Sequence, residues 1–325
     1  MSETPVPPSD TNDRNDAADV ALPQRPGRAG NRTVWFAGAL VIVIAIAATL
    51  FFTLRKTDSA ASGSTVVRIG TTEESADYWA PLKAAAAREN IDIQLVNFSD
   101  YTQANPALAQ KQVDLNLFQH LLYLANYDVA DSQTLVPIGS TVVVPLSLYS
   151  KKHTSLDQIP RGGKIAIPND ATNQARALLV LQQAGLISLK GGGSVLSTPA
   201  EIDPAESKVT VTPVDAAQTV ASLPSVDGAI INNNFVLDAK IDPTSALYSD
   251  DPSKPAAEPY INAFVARSED KDNPTYLRIV ELYHQSAVID AVKAQSKNTA
   301  IIVQRPASEL QGILTQLEGT VKEAG

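Results

Sequence analysis

The 325-residue chain contains no cysteine, which excludes disulfides, thiolate metal sites, cysteine nucleophiles and a lipidated N-terminal cysteine together. Histidine is scarce: His120, His153 and His284 are the only imidazoles. They lie far apart in the sequence and none belongs to an HExxH pattern, so neither a metal centre nor a cofactor is expected. There is no long Lys/Arg block, and a formal net charge of -9 is the opposite of the basic footprint that nucleic-acid binding requires. The glycine clusters fail as phosphate loops. Gly191 to Gly193 lacks the Lys-Ser/Thr of a P-loop, and RGGK at Arg161 to Lys164 lacks the Walker spacing. An enzyme would need a nucleophile beside a base, from a pair such as Asp100 with His120, and no enzymatic activity is expected.

What is present is segmented. Residues 1–32 are rich in Pro, Asp, Asn and Arg with almost no large apolar side chain, so they cannot bury enough surface to order themselves and are expected to form a disordered cytoplasmic tail. Residues 33–54 are expected to be a transmembrane anchor, because Val34 to Leu54 carries no charge and as a helix is long enough to span ~30 Å of hydrocarbon. Arg25, Arg28 and Arg32 precede the span against Arg55 and Lys56 after it, which puts the N-terminus in the cytoplasm and the bulk of the chain outside. The run is longer than an ordinary signal-peptide core, favouring an uncleaved anchor, and cleavage near Ser59 to Ser62 stays open. Residues 55–65 read as a flexible linker.

Beyond the linker, strand and helix patterns alternate. Strands are expected at Val66 to Thr72, Ile91 to Phe98 and Val113 to Phe118, with helices at Tyr78 to Glu89 and Gln103 to Lys111 between them, an order that implies a parallel sheet covered by helices. Thr134 to Lys152 is β-rich but interrupted by Pro137 and Pro145, which suits a segment leaving one sheet for another. A second β/α series follows: KIAIPND, a helix from Asn173 to Ala184, Lys208 to Val214, a helix from Ala216 to Leu223, and a strand from Asp227 to Asn234. Tyr260 to Ser268 reads as a strand returning to the first lobe. One long helix is expected at Pro274 to Ala294 and a terminal one at Ala307 to Glu323. The fold class is therefore α/β with two lobes: residues 66–148 with 259–325 returning as lobe 1, and residues 149–258 as lobe 2.

In open α/β sheets ligands bind beyond the carboxyl ends of strands, and several polar and aromatic residues fall there. Tyr101 follows the second strand. Phe118 and His120 end the third with Tyr123 close behind, Asn232 ends the DGAII strand, and Asn262 sits in the returning strand. Asn173 and Arg176 are three residues apart at the start of a helix, so they share a face beside free backbone N–H groups, an arrangement suited to a carboxylate. Singly, each has a plain alternative: Arg176 as a surface charge, Tyr101 and Phe118 as core aromatics, His120 as a satisfied core histidine, the Asn run as a turn. Together they match a free amino acid, which needs a cation for its carboxylate, acceptors for its ammonium and a walled pocket for its side chain. Aromatic walls from Tyr101, Phe118 and Tyr123 favour an apolar or thioether group.

These residues stand in segments that resemble the NlpA/MetQ family of methionine-binding proteins, from about Val66 to Ala294. The carriers are VNFSDYTQANPALAQKQVDLNLFQHLLYL, KIAIPNDATNQARALLVLQQAG, DGAIINNNFVLDA and EPYINAFVARSEDKDNP. The resemblance implies a two-lobe periplasmic-binding-protein fold of type II-like build, with methionine clamped in the cleft and passed to an ABC permease and its ATPase. It further implies Tyr101, Phe118, His120 and Tyr123 as the side-chain wall, Arg176 and Asn173 as the carboxylate anchor, and Asn232 and Asn262 as partners of the amino-acid backbone. Family members are commonly tethered through a lipidated cysteine, which this chain lacks; its anchor would be the peptide segment 33–54. Gln174-Ala175 and NNNFV also depart from the usual family residues. A membrane-tethered sensor, or a binder of a related amino acid or methionine-containing dipeptide, is the alternative.

Overall fold

The computed structural model describes residues 63–324. The expected tail, the anchor Val34 to Leu54 and most of the linker lie outside them, and among the described residues no helix is long and apolar enough to cross a membrane.

Val67 and Ile69, fully buried on one face, anchor β1 (Thr65–Thr71), which pairs in parallel with β2 (Ile91–Asn97) on one side and β3 (Leu115–Asn116) on the other. α1 (Trp79–Ala87) and α2 (Ala104–Ala109) connect them, and α3 (Leu121–Asp131) follows β3. The third strand and the helix before it are shorter than their sequence patterns suggest. Lys111 turns the backbone at a φ of 62°, and after Asn116 the chain exchanges the ladder for a buried amide triad of Asn105, Asn116 and Gln119.

β4 (Leu135–Ser140) closes this sheet, β5 (Val142–Val143) follows at once, and β6 (Ser147–Tyr149) belongs to a second sheet, so the proline-interrupted run does cross between sheets. The second sheet continues with β7 (Gly163–Pro168), β8 (Val209–Val214), β9 (Gly228–Ile231) and β10 (Tyr248–Ser249), covered by α4 (Ala171–Gln183), a single turn α5 (Thr219–Ser222) and α6 (Asn233–Asp238). β11 (Ala263–Arg267) then returns to the first sheet, antiparallel to β3 and β4. The strand orders are β2-β1-β3-β11-β4 and β10-β6-β9-β7-β8. Apolar side chains cluster on both faces of each. Ile165 and Ile167 of β7 meet Leu178 and Leu181 of α4 on one face, while Ala166 meets Leu223 and Val236 on the other.

Several expectations need correction. DGAII ends as a strand at Ile231, and Asn233 and Asn234 begin α6 instead of extending the strand or forming a turn, because that short helix seats Val236 in the core. The helix expected from Ala216 to Leu223 is instead a 3-10 turn, Ala216–Gln218, followed by the single-turn α5. The long helix expected at Pro274 to Ala294 is two, α7 (Pro274–Tyr283) and α8 (Ser286–Gln295), broken where Gln285 is extended. The break lets Tyr283 and Val288 enter the same core.

The last residues also have a place: β12 (Ile301–Ile302) pairs with β5, and α9 (Ala307–Ala324) packs on α3 and β4, burying Leu310, Ile313, Leu314 and Leu317. The two segments that cross between sheets are hydrogen-bonded to each other, Thr141 N to Asn262 O and Asn262 N to Val142 O, both at 2.8 Å.

Leu310→Ala should lower unfolding free energy by about 2 to 5 kcal/mol in chemical denaturation, as for other fully buried leucines; a loss below about 1 kcal/mol would show that α9 is not part of the core. Asp128, buried on α3 with Oδ2 unpartnered, has its pKa pushed up to about 7, chiefly by burial. A raised carboxyl pKa makes a contribution to stability that is complete below the usual Asp range near 4 and is lost as pH rises through about 7. Thermal melts of Asp128→Asn should therefore show a shallower decline between about pH 4 and 7 than those of the unaltered protein.

Candidate functional site

The cavity lies where the first sheet, the second sheet and the crossing segments meet, and it encloses about 970 Å³ counting its open mouth. All eight residues singled out from the sequence line it: Tyr101, Phe118, His120, Tyr123, Asn173, Arg176, Asn232 and Asn262. Their positions follow from the topology. Tyr101 comes after β2, Phe118 to Tyr123 after β3, Asn173 and Arg176 from the helix after β7, and Asn232 after β9, all beyond carboxyl ends of parallel strands. Asn262 stands just before β11, bridged to His120.

Three rings form an apolar wall. Tyr101 lies 5.9 Å from Phe118 and 6.0 Å from Tyr123 between ring centres, and Phe118 meets Tyr123 edge-on at 5.7 Å. Phe235 of α6 packs on Tyr101 at 5.4 Å between ring centres without lining the cavity itself, and the Tyr101 hydroxyl donates to Asn234 Oδ1 at 2.5 Å.

His120 is buried and caps α3, its Nδ1 accepting from Tyr123 N at 3.1 Å. That leaves the proton on Nε2, which faces Asn173 Oδ1 at 3.4 Å. Burial first, and the Arg176 charge second, push its pKa down to about 3, so the ring is neutral at physiological pH.

The anion corner differs from its sequence reading. Asp170 is the N-cap of α4, and its carboxylate accepts from Asn173 N and from the Asn173 side-chain nitrogen, both at 3.0 Å, so the protein's own acid occupies that helix end. Asn173 is therefore a hub: its nitrogen turns to Asp170, and its oxygen accepts from Asn232 Nδ2 at 2.9 Å. Asn232 Oδ1 is then left buried with no partner, an acceptor on the cavity wall.

Arg176 lies in the second turn of α4, not the first, and is no surface charge: its side chain is 4% exposed. Nε donates to Asp250 Oδ2 at 2.7 Å, Nη2 to Val144 O at 2.9 Å and to Asp250 Oδ1 at 3.2 Å, and the guanidinium carbon stacks 4.1 Å from the centre of the Tyr260 ring. Among the described residues no acceptor reaches Nη1, so this group faces the cavity with one donor edge free.

Asp250 and Glu73 escaped the sequence reading, whereas Asn234 belongs to the asparagine run that it noted after DGAII. Asp250 sits in a polar connection where nothing local separates it from any loop acid. Glu73 follows the first strand, and the strand-end rule applied to β1 would have flagged it. Among the described residues no cluster of His, Asp and Glu could hold a metal ion.

The profile of the NlpA lipoprotein family matches residues 67–303. Over 272 residues the chain is 31% identical to the probable D-methionine-binding lipoprotein MetQ of Haemophilus influenzae, covering 81% of this chain and 97% of that one. Among solved structures, the substrate binding protein of a methionine transporter from Streptococcus pneumoniae superposes with a TM-score of 0.68 at 34% identity, covering 74% of this chain and 96% of the other. A nutrient binding protein from Burkholderia cenocepacia, bound to methionine, gives 0.67 at 34% identity, covering 73% and 99%. The mixed α/β two-domain fold is shared with both.

The neutrality of His120 is open to measurement. Nitrogen chemical shifts of the labelled ring should report the Nε2-protonated neutral tautomer throughout pH 5 to 8, with no titration in that window; a midpoint inside it would contradict the burial argument.

Proposed function

The chain belongs to the NlpA lipoprotein family, and on that premise we propose that it is an extracytoplasmic solute-binding protein that captures methionine, with the L-form its main solute, in the cleft between its two lobes. The observation that carries this reading is the convergence on one cavity of a cationic donor edge at Arg176, an unpartnered acceptor at Asn232 Oδ1 and a wall of aromatic rings. Methionine has that set of features: a carboxylate for Nη1 of Arg176, an ammonium for Asn232 with Asn262 beside it, and a thioether that packs well on ring edges. The names borne by the relatives from Haemophilus, Streptococcus and Burkholderia all specify methionine, the Haemophilus one its D-form, and so support the solute class without its enantiomer.

On this reading the protein binds its solute without transforming it. Lobe 1 comprises residues 66–148 and 259–325, lobe 2 residues 149–258, and the paired crossing segments at Thr141 and Asn262 act as the hinge. The solute selects a closed state from an existing open and closed equilibrium, and the closed protein docks on an ABC permease with its ATPase. Residues 33–54 tether the protein to the membrane by peptide where other family members use lipid. The affinity needed is physically accessible. A ligand of about nine heavy atoms with a ceiling of about -1.5 kcal/mol each reaches roughly -13 kcal/mol, in the nanomolar range before ordering costs.

Calorimetric titration with both enantiomers tests the assignment. Arg176→Ala should weaken methionine binding by about 2 to 5 kcal/mol. The Arg176→Ala/Asp250→Ala double variant, which strands no buried carboxylate, should bind just as weakly. Unchanged affinity in the double variant would remove Arg176 as the carboxylate anchor, and absence of methionine binding in the unaltered protein would overturn the reading itself.

A further inference from the structure

Two charged side chains line the cavity, Arg176 and Glu73, and they are treated differently by the fold. Arg176 is balanced by Asp250. Glu73 is not balanced: its carboxylate accepts one hydrogen bond, from the Tyr78 hydroxyl at 2.7 Å, and among the described residues no cation pairs with it. Tyr78 and Tyr283, edge to face at 5.6 Å, both line the cavity with it. From the opposite lobe, Asp238 of α6 adds a second negative charge, hydrogen-bonded to Ser75 at 2.5 Å. Burial pushes the Glu73 pKa up to about 7, the Tyr78 hydrogen bond opposing this and the Asp238 charge adding to it. An ionised carboxylate between tyrosines and opposite another acid is unfavourable until a cation meets it.

We propose that Glu73 is an ammonium subsite of this cavity, so that a solute held by its carboxylate at Arg176 presents a protonated amine to Glu73. The proposal rests on the solute-binding reading above and adds a residue and a selectivity to it. The chemistry required is a primary ammonium, which has two sources: the α-ammonium of a single amino acid, or the terminal ammonium of a ligand one residue longer. Asn232 Oδ1 serves either case, accepting from an ammonium or from an amide N–H. Discrimination follows from the same imbalance. An amine-free solute leaves the Glu73 carboxylate desolvated and unpaired, or requires it to take up a proton.

Calorimetry on the full-length chain at pH 8 and pH 6 tests this with L-methionine, 4-(methylthio)butanoate, glycyl-L-methionine and N-acetyl-L-methionine, comparing the unaltered protein with Glu73→Gln. Gln keeps an acceptor for Tyr78, so melting temperatures should stay close. At pH 8 the variant should lose at least about tenfold in affinity for methionine, and less than about twofold for the butanoate, when the α-ammonium is the group recognised. A loss confined to glycylmethionine and absent with N-acetylmethionine identifies the longer source. In either case the loss should shrink at pH 6, where Glu73 takes up a proton. Tyr78, Tyr101 and Tyr283 line the same cavity and the Asp238 charge acts on Glu73 from outside it, so the difference between protein and variant, not the pH profile alone, isolates Glu73. Equal affinities for all four solutes in protein and variant, or an equal loss for the amine-free ones, would overturn the subsite while leaving the methionine reading intact. No binding of any of the four by the unaltered protein would overturn both.

Discussion

The Arg176–Asp250 pair is the constraint around which the cavity is organised. A guanidinium this deeply buried is tolerable only when its donors are met by good geometry, because desolvation otherwise exceeds the Coulombic return. Here Asp250 takes two of its N–H groups, the Val144 carbonyl takes another, and the Tyr260 ring covers a face. Those partners come from separate parts of the chain. Val144 lies on the first crossing segment, and Asp250 and Tyr260 on the connection leading back, while Arg176 belongs to the helix after β7. Asp250 also fixes the Leu146 amide at 2.8 Å. One side chain thus joins the second sheet to both connections with the first, and holds its free edge in place before any solute arrives, which lowers the ordering cost of binding.

The same arrangement makes the site nearly neutral on the Arg176 side. A ligand carboxylate there meets an oriented donor, not a bare positive charge, and the helix end that would have reinforced it is already occupied by Asp170. Selectivity then depends on shape and on the few uncommitted polar atoms. Asn173 governs several of these through its contacts with Asp170, Asn232 and His120, acting less as a contact for ligand than as the support that aims its neighbours.

Much of this was legible in the sequence because it is local. Alternating apolar residues marked β1 and β2, the NDATN turn marked the start of α4, and the residues after parallel strands converge as the strand-end rule requires. What stayed hidden depends on partners distant in sequence. Nothing around Asp250 signals that Arg176, 74 residues earlier, will need it. The asparagines after DGAII read equally as strand, turn or helix, and the need to bury Val236 decides the matter. The period of Pro274 to Ala294 is continuous, so the break at Gln285 appears only once two side chains must reach one core. The apolar face of α9 was visible, but the surface it covers, on α3 and β4, is assembled from elements that lie far upstream, before the whole second sheet.

That last placement sets an order of events during synthesis. The second sheet draws all five strands from one continuous stretch, β6 to β10, whereas the first needs β11 in its middle and α9 against its face. A chain emerging from its N-terminus therefore holds β1 to β4 early but cannot complete their sheet until nearly everything else has been made. Loop closure over such separations is slow, and the waiting strands expose unpaired edges and apolar surface meanwhile. The first lobe thus stays incomplete over most of the chain's synthesis, while the second, drawn from one continuous stretch, needs no later strand to complete its sheet.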